Sequence, residues 1–157
     1  MLYQVNGLKD IHTVLTNERK LGGAVEAESI RLRSGEEFRN IVVTHMDMAG
    51  SIIYSVSFVT EEGKRYIIHV NDISLISQPT HKHIKSVNNA FYKQFKTDEK
   101  IKYLSKLCQL NEGGFTAPVL KEVMAIVEDI GTEAAKQHVD MDLVSDTKVV
   151  KMEKRVS

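Results

Sequence analysis

Apolar residues recur at three- and four-residue intervals through Leu8, Ile11, Val14 and Leu15. That spacing predicts a short amphipathic helix from Leu8 to Leu21, stopped by Gly22-Gly23. From Ala24 the period shortens to two. Val25, Ala27 and Ser29 form one alternation, and Ile30, Leu32 and Phe38 continue another across Ser34-Gly35, which predicts strand, tight turn and strand. Glu37 to Asp47 is a second β run around Ile41, Val42 and Val43. Ser51 to Thr60 is a third, rich in β-branched residues. Glu61-Glu62-Gly63-Lys64 reads as a hairpin turn, followed by a strand from Arg65 to Val70 and a short closing one from Ile73 to Ser77.

Pro79 is expected to end the β region. Beyond it Ile84, Val87, Phe91 and Phe95 fall on one helical face, which Ile101, Leu104 and Cys108 extend. Asn111-Glu112-Gly113-Gly114 breaks the pattern. Thr116 then caps a helix with Pro118 in its first turn, apolar on more than one face through Ile130 and stopped by Gly131.

The expected class is α+β: a small, strongly bent antiparallel β-barrel of four or five strands, preceded by a short helix and followed by a helical C-terminal region. A bent sheet covered by the C-terminal helices is the alternative. The expected division is 1–78 for helix and barrel, 79–139 for the helical region and 140–157 for a flexible tail.

Net charge is zero, with 21 basic and 21 acidic residues, but the charges are segregated. Residues 81–110 carry seven lysines against Asp98 and Glu99, and residues 111–146 carry eight acids against Lys121 and Lys136. Separated blocks of this kind make local fields, so a phosphate-holding surface and an acidic surface for a basic protein both enter the picture. The one cysteine, Cys108, excludes an internal disulfide and points to a reducing cytoplasm. Met1 to Asp10 shows no basic region followed by an apolar core, so no secretory signal is expected. No apolar stretch reaches the length of a membrane span.

Ile30-Arg31-Leu32-Arg33-Ser34-Gly35-Glu36-Glu37-Phe38 matches the spacing of the first motif of the Sm-like proteins, in which an apolar residue, a leucine, a glycine and an aromatic recur. Ile68-His69-Val70-Asn71-Asp72-Ile73 with Ile76 is similar in spacing to the second motif. Residues 8–77 therefore resemble the Sm-like small barrels, and Tudor-like and KOW-like barrels share much of the strand pattern. The glycine that usually follows the aromatic position is Asn40 here, the Asp-x-x-Met-Asn end is shifted to Asp47-Met48-Ala49-Gly50, and the Arg-Gly of the second motif is His69-Val70. The resemblance implies a short helix before a five-stranded barrel and binding of RNA, DNA or protein. In size and general character the chain also resembles early transcription modulators of T-even phages, which implies a host transcription or nucleoid protein as a partner.

Catalytic signatures are missing from the sequence. Gly22-Gly23 and Gly113-Gly114 lack the spacing of a phosphate loop, and no nucleophile elbow occurs. Cys108, between Leu107 and Leu110, reads as a small core residue. His81 and His83 offer two metal ligands in a linker, where surface histidines are the usual case, so neither metal nor cofactor is expected. The adjacent acids Glu36-Glu37 and Glu61-Glu62 point to opposite faces of a strand and make no acid/base couple.

What remains is binding chemistry. The expectation is a non-enzymatic nucleic-acid-binding protein that holds phosphates through Arg31, Arg33, Arg39, Lys64, Arg65, Lys82, Lys85, Lys93, Lys96 and Lys100. Tyr54, Tyr66 and Tyr92 serve either as stacking platforms or as core. Pairing of Arg31 and Arg33 with Glu26, Glu28, Glu36 or Glu37 is the competing role for those arginines. The alternative function is a protein-interaction module or homo-oligomer acting through the apolar helix 118–130 and the acidic segment.

Overall fold

A computed structural model describes residues 2–139, so the tail expected over 140–157 lies outside the described residues. The order is α1 (Leu8–Thr16), α2 (Glu18–Leu21), β1 (Ala24–Leu32), β2 (Glu37–Ala49), β3 (Ile52–Val59), β4 (Arg65–His69), β5 (Ile73–Ser77), β6 (Thr80–Lys82), α3 (Ala90–Leu110), α4 (Ala117–Ile130) and α5 (Thr132–Ala135), with 3-10 turns at Val70–Asp72 and Ile84–Ser86. The described residues are thus α+β, with one six-stranded antiparallel sheet and five helices. Two compact units part between Gln94 and Phe95.

The first unit is built on the sheet, in the order β4-β3-β2-β1-β5, with β6 also paired to β1. The hydrogen-bond ladder does not close into a barrel, because β4 pairs with β3 and β5 with β1 while the turn Val70–Asp72 joins the two. The strands turn sharply. On β2, Phe38 and Met46 share one core with Ile41 and Val43, which an ideal pleat would send to opposite faces. Asn40, at φ +47°, and register shifts after Val43 and Asp47 re-aim the strand. Phe38, Phe58 and Tyr66 meet in this core with centroids 5.0–5.6 Å apart, and α1 adds Ile11 and Val14. At the start of α1, Asp10 accepts from the N–H groups of Asn6 and Gly7.

Two expectations require correction. The β region does not end at Pro79. Ser77 stands opposite Ser29 and Thr80 opposite Glu26, so β5 and β6 run along the same edge of β1 in one register. Pro79 has no N–H to donate and Gln78 sits at φ +51°, so the ladder skips two residues and resumes. Nor do Ile84, Val87, Phe91 and Phe95 share a helical face. Ile84 and Val87 are buried ahead of α3, the helical phase restarts at Ala90, and its inward positions become Tyr92 and Leu104.

In the second unit, Leu104, Phe115, Leu120, Val123, Ile126, Val127 and Ile130 are buried. Thr116 accepts from the Val119 N–H at the start of α4, and Gly131, at φ +94°, follows its last residue. Tyr103 of α3 donates to Glu122 of α4, and Lys100 lies 3.0 Å from Asp129. No helix among the described residues is long and apolar enough to cross a membrane.

Candidate nucleic-acid interface

Glu26 on β1 is 2% exposed, yet it is fully partnered. Its carboxylate accepts from the N–H of Asn88 at 3.0 Å, the N–H of Asn89 at 2.7 Å and the Lys82 ammonium at 2.9 Å. A buried carboxylate is tolerable when charge and hydrogen bonds answer it in this way, and here it also fixes the segment that leads into α3. Asn89, fully buried, completes the anchor. Its side-chain oxygen accepts from the Tyr92 N–H at 3.0 Å, capping α3. Its amide donates to the carbonyls of Asn40 at 2.9 Å and Val59 at 3.3 Å.

Asn40 has a positive φ of +47°, and asparagine is among the few residues besides glycine that adopt that conformation readily. Its side chain donates to Glu61 at 2.6 Å, tying β2 to the β3–β4 turn. That turn is closed by the Gly63 N–H donating to the Thr60 carbonyl at 3.0 Å and the Lys64 N–H donating to the Thr60 hydroxyl at 3.1 Å. The start of α3, the first part of β2 and the β3–β4 turn are therefore joined by hydrogen bonds.

The ten cations expected to hold phosphate separate into two groups. Arg31 pairs with Glu37 at 3.3 Å, Lys82 with Glu26, Lys96 with Glu99 at 3.0 Å and Lys100 with Asp129. Lys82 and Lys100 are structural partners of buried acids. Arg33, Arg39, Lys64, Arg65, Lys85 and Lys93 are exposed and have no acid within ion-pair distance among the described residues. Of these, Arg39 adjoins Asn40, Lys64 and Arg65 follow Gly63, and Lys93 lies in the first turn of α3, so all four sit on the joined elements. Arg33 lies apart, at the β1–β2 tip, where its N–H donates to the Asp72 carbonyl at 2.8 Å. Lys85 is in the Ile84–Ser86 turn. Glu61 and Glu62 share the β3–β4 turn with the cations, and Glu61 is taken up by Asn40.

Of the tyrosines, Tyr66 and Tyr92 are core or core-edge and Tyr54 is exposed. Two aromatics expected on the packed helical face are exposed: Phe95, at 55%, and Phe91. Phe91 is 48% exposed, and a Cβ at Gly63 would come within 2.7–2.8 Å of its Cδ2, Cε2 and Cζ. One edge of the ring thus rests on the β3–β4 turn, and Gly63, at φ +83°, supplies both the turn and the room.

Other polar groups are structural. His81 is buried on β6, not exposed in a linker. Its Nδ1 accepts from the Tyr3 N–H and its Nε2 donates to the Gly22 carbonyl, each at 2.8 Å, so neither nitrogen is open to a metal. No group of three metal-ligating side chains gathers among the described residues. Ser55 donates to Asp47, and Asp47 meets His45, each at 2.8 Å. The Ser55 hydrogen bond, then the His45 one, hold the Asp47 carboxyl below the usual carboxylate range. A nucleophilic triad needs the imidazole in the middle, and here the carboxylate is. Burial pushes the half-buried Cys108 thiol up, away from the reactive thiolate. On α4, Leu120, Val123, Ile126, Val127 and Ile130 are buried within the single chain and Val119 and Met124 are half-buried, which leaves Ala117, Pro118, Lys121, Glu122, Ala125 and Glu128 as its exposed residues.

No family model, no curated protein and no solved structure matches the chain.

Proposed function

We propose that the chain is a non-enzymatic nucleic-acid-binding protein that grips the phosphate backbone through the joined elements of its sheet unit. The observation that carries this reading is the gathering of Arg39, Lys64, Arg65 and Lys93, all without acidic partners among the described residues, on elements joined by Asn40 and Asn89. Each phosphate such a cation engages releases condensed counterion, so binding falls with salt and carries little sequence information.

We read the sheet as a small barrel of the Sm-like, Tudor-like or KOW-like kind. The strand order β4-β3-β2-β1-β5, the short turn between β4 and β5, and positive φ at Gly35 and Asn40 support that reading. The role it implies is modulation of transcription or nucleoid structure in the cytoplasm, as by a phage-encoded regulator acting with a host protein.

The test is fluorescence anisotropy of labelled duplex DNA and single-stranded RNA at two salt concentrations. Lys64→Glu and Lys93→Glu are expected to weaken binding and flatten its salt dependence. Lys82 is unsuitable for such a test, since reversing it would leave Glu26 buried against a like charge. Absence of binding at low salt would remove the proposal.

A further inference from the structure

The ring of Phe91 is the exposed aromatic surface tied to the cation-bearing turn, and hydrogen bonds set the helix turn that carries it. Its helix turn is fixed by the Asn89 cap and by Glu26 beneath it, and one ring edge lies against Gly63. A helix that buries Tyr92 turns the preceding residue about 100° away, which places Phe91 at the margin of the packed face. Burial therefore does not account for a phenylalanine at this point, 48% open to solvent beside Lys64 and Arg65. An exposed, preorganised aromatic flanked by free cations matches what an unpaired base requires: a π surface for the base and positive charge for its phosphate. Bases in a duplex are stacked on one another and offer no such face.

We propose that Phe91 is a base-stacking residue and that the ligand of this surface is single-stranded nucleic acid, one base packing on the ring while Lys64 and Arg65 meet the adjoining phosphates. The proposal rests on the phosphate-binding reading above and adds the strandedness of the ligand and the residue that selects it.

The chain contains no tryptophan, so Phe91→Trp introduces a single indole reporter at the site. Three labelled probes of equal length serve as ligands: a thymidine DNA single strand, a uridine RNA single strand and a DNA duplex. Saturating single strand is expected to quench the indole, and duplex is expected to leave it unchanged. Phe91→Ala is expected to weaken single-strand binding roughly ten- to hundredfold, the usual range for loss of one stacking aromatic, and to spare any duplex binding. Phe91→Leu keeps apolar bulk over Gly63 and removes the π face, so it separates stacking from packing and is expected to lose as much as alanine. The two single-strand arms decide between DNA and RNA. Unchanged single-strand affinity in both variants, with salt-dependent binding intact, overturns the stacking role and leaves the phosphate reading standing. Failure of the unaltered protein to bind any of the three probes overturns both.

Discussion

Among the described residues each unit buries a carboxylate beside a lysine, Glu26 with Lys82 in the sheet unit and Asp129 with Lys100 in the helical one. They differ in what the acid does. Glu26 also receives two backbone N–H groups and so fixes where a helix begins. Both units leave surface cations without an acid within ion-pair distance among the described residues, Lys102, Lys106 and Lys121 in the helical unit and Arg39, Lys64, Arg65 and Lys93 in the sheet unit. They differ in that the last four sit on elements joined by the Asn40 and Asn89 hydrogen bonds. Of the seven lysines between residues 81 and 110, Lys82, Lys96 and Lys100 are taken up by acids, whereas Lys85, Lys93, Lys102 and Lys106 have no acid within ion-pair distance among the described residues. Charge that is already neutralised in place contributes little to attracting phosphate.

The sharpest way to break this comparison is to remove the two acids. Glu26→Ala is expected to cost about 3–5 kcal/mol, because it strands a half-buried ammonium and two N–H groups. Asp129→Ala is expected to cost less, since Asp129 lies inside α4, where the helix itself satisfies the neighbouring N–H groups. Urea unfolding of each variant reads the difference, and equal losses would show that the backbone bonds to Glu26 add nothing. Next in size is affinity. Arg39→Glu is expected to lower the salt slope of nucleic-acid binding by about 0.7–0.9 for the one phosphate no longer neutralised, whereas Lys96→Glu leaves it unchanged. Glu62→Gln, removing an acid from the cationic turn, is expected to tighten binding several-fold at low salt in the same titrations.

The smallest effect concerns two exposed carboxylates. Asp47 is held below its ordinary value first by the neutral Ser55 hydroxyl, and Glu133 first by the hydrogen bond from charged Lys136. Because both are lowered in the folded state, the stability they contribute is present above their unfolded pKa values and is lost as pH falls through the folded ones. Salt of about 1 M screens charge far more than a hydroxyl bond. In an NMR titration Glu133 is therefore expected to move back toward its ordinary value in high salt and Asp47 to stay largely depressed. Ser55→Ala should release Asp47 at any salt.

Much of the fold was legible in local pattern. Alternation located β1 to β5, and Thr116, Pro118 and Gly131 marked the bounds of α4, because turns and caps are short-range chemistry. β6 was hidden by Pro79, which ordinarily ends a strand and here only interrupts one. The site was less legible for a different reason. Lys82 and Glu26 lie 56 residues apart, and nothing near either residue announces the pairing. The sequence reading offered Glu26 only as a partner for Arg31 or Arg33, but both faces of β1 are covered from Ala24 to Ala27. Phe91 was misread because Ile84 and Val87 mimic helical spacing ahead of a helix that starts only at Ala90. A hint did exist in Asn88-Asn89, a capping pair in the midst of the supposed helix.

The donors to Glu26 come from residues 82, 88 and 89, which sets an order on biosynthesis. As the chain leaves the ribosome, β1 emerges long before the groups that make its buried acid tolerable, and until Asn89 is out that carboxylate must stay in water. The face of the sheet that holds Glu26 is therefore expected to pack only once the first turn of α3 has arrived. A fragment cut at residue 78, where the strand pattern invites a boundary, would retain the acid and forfeit all three donors. Expression of the sheet unit alone should therefore run past Tyr92.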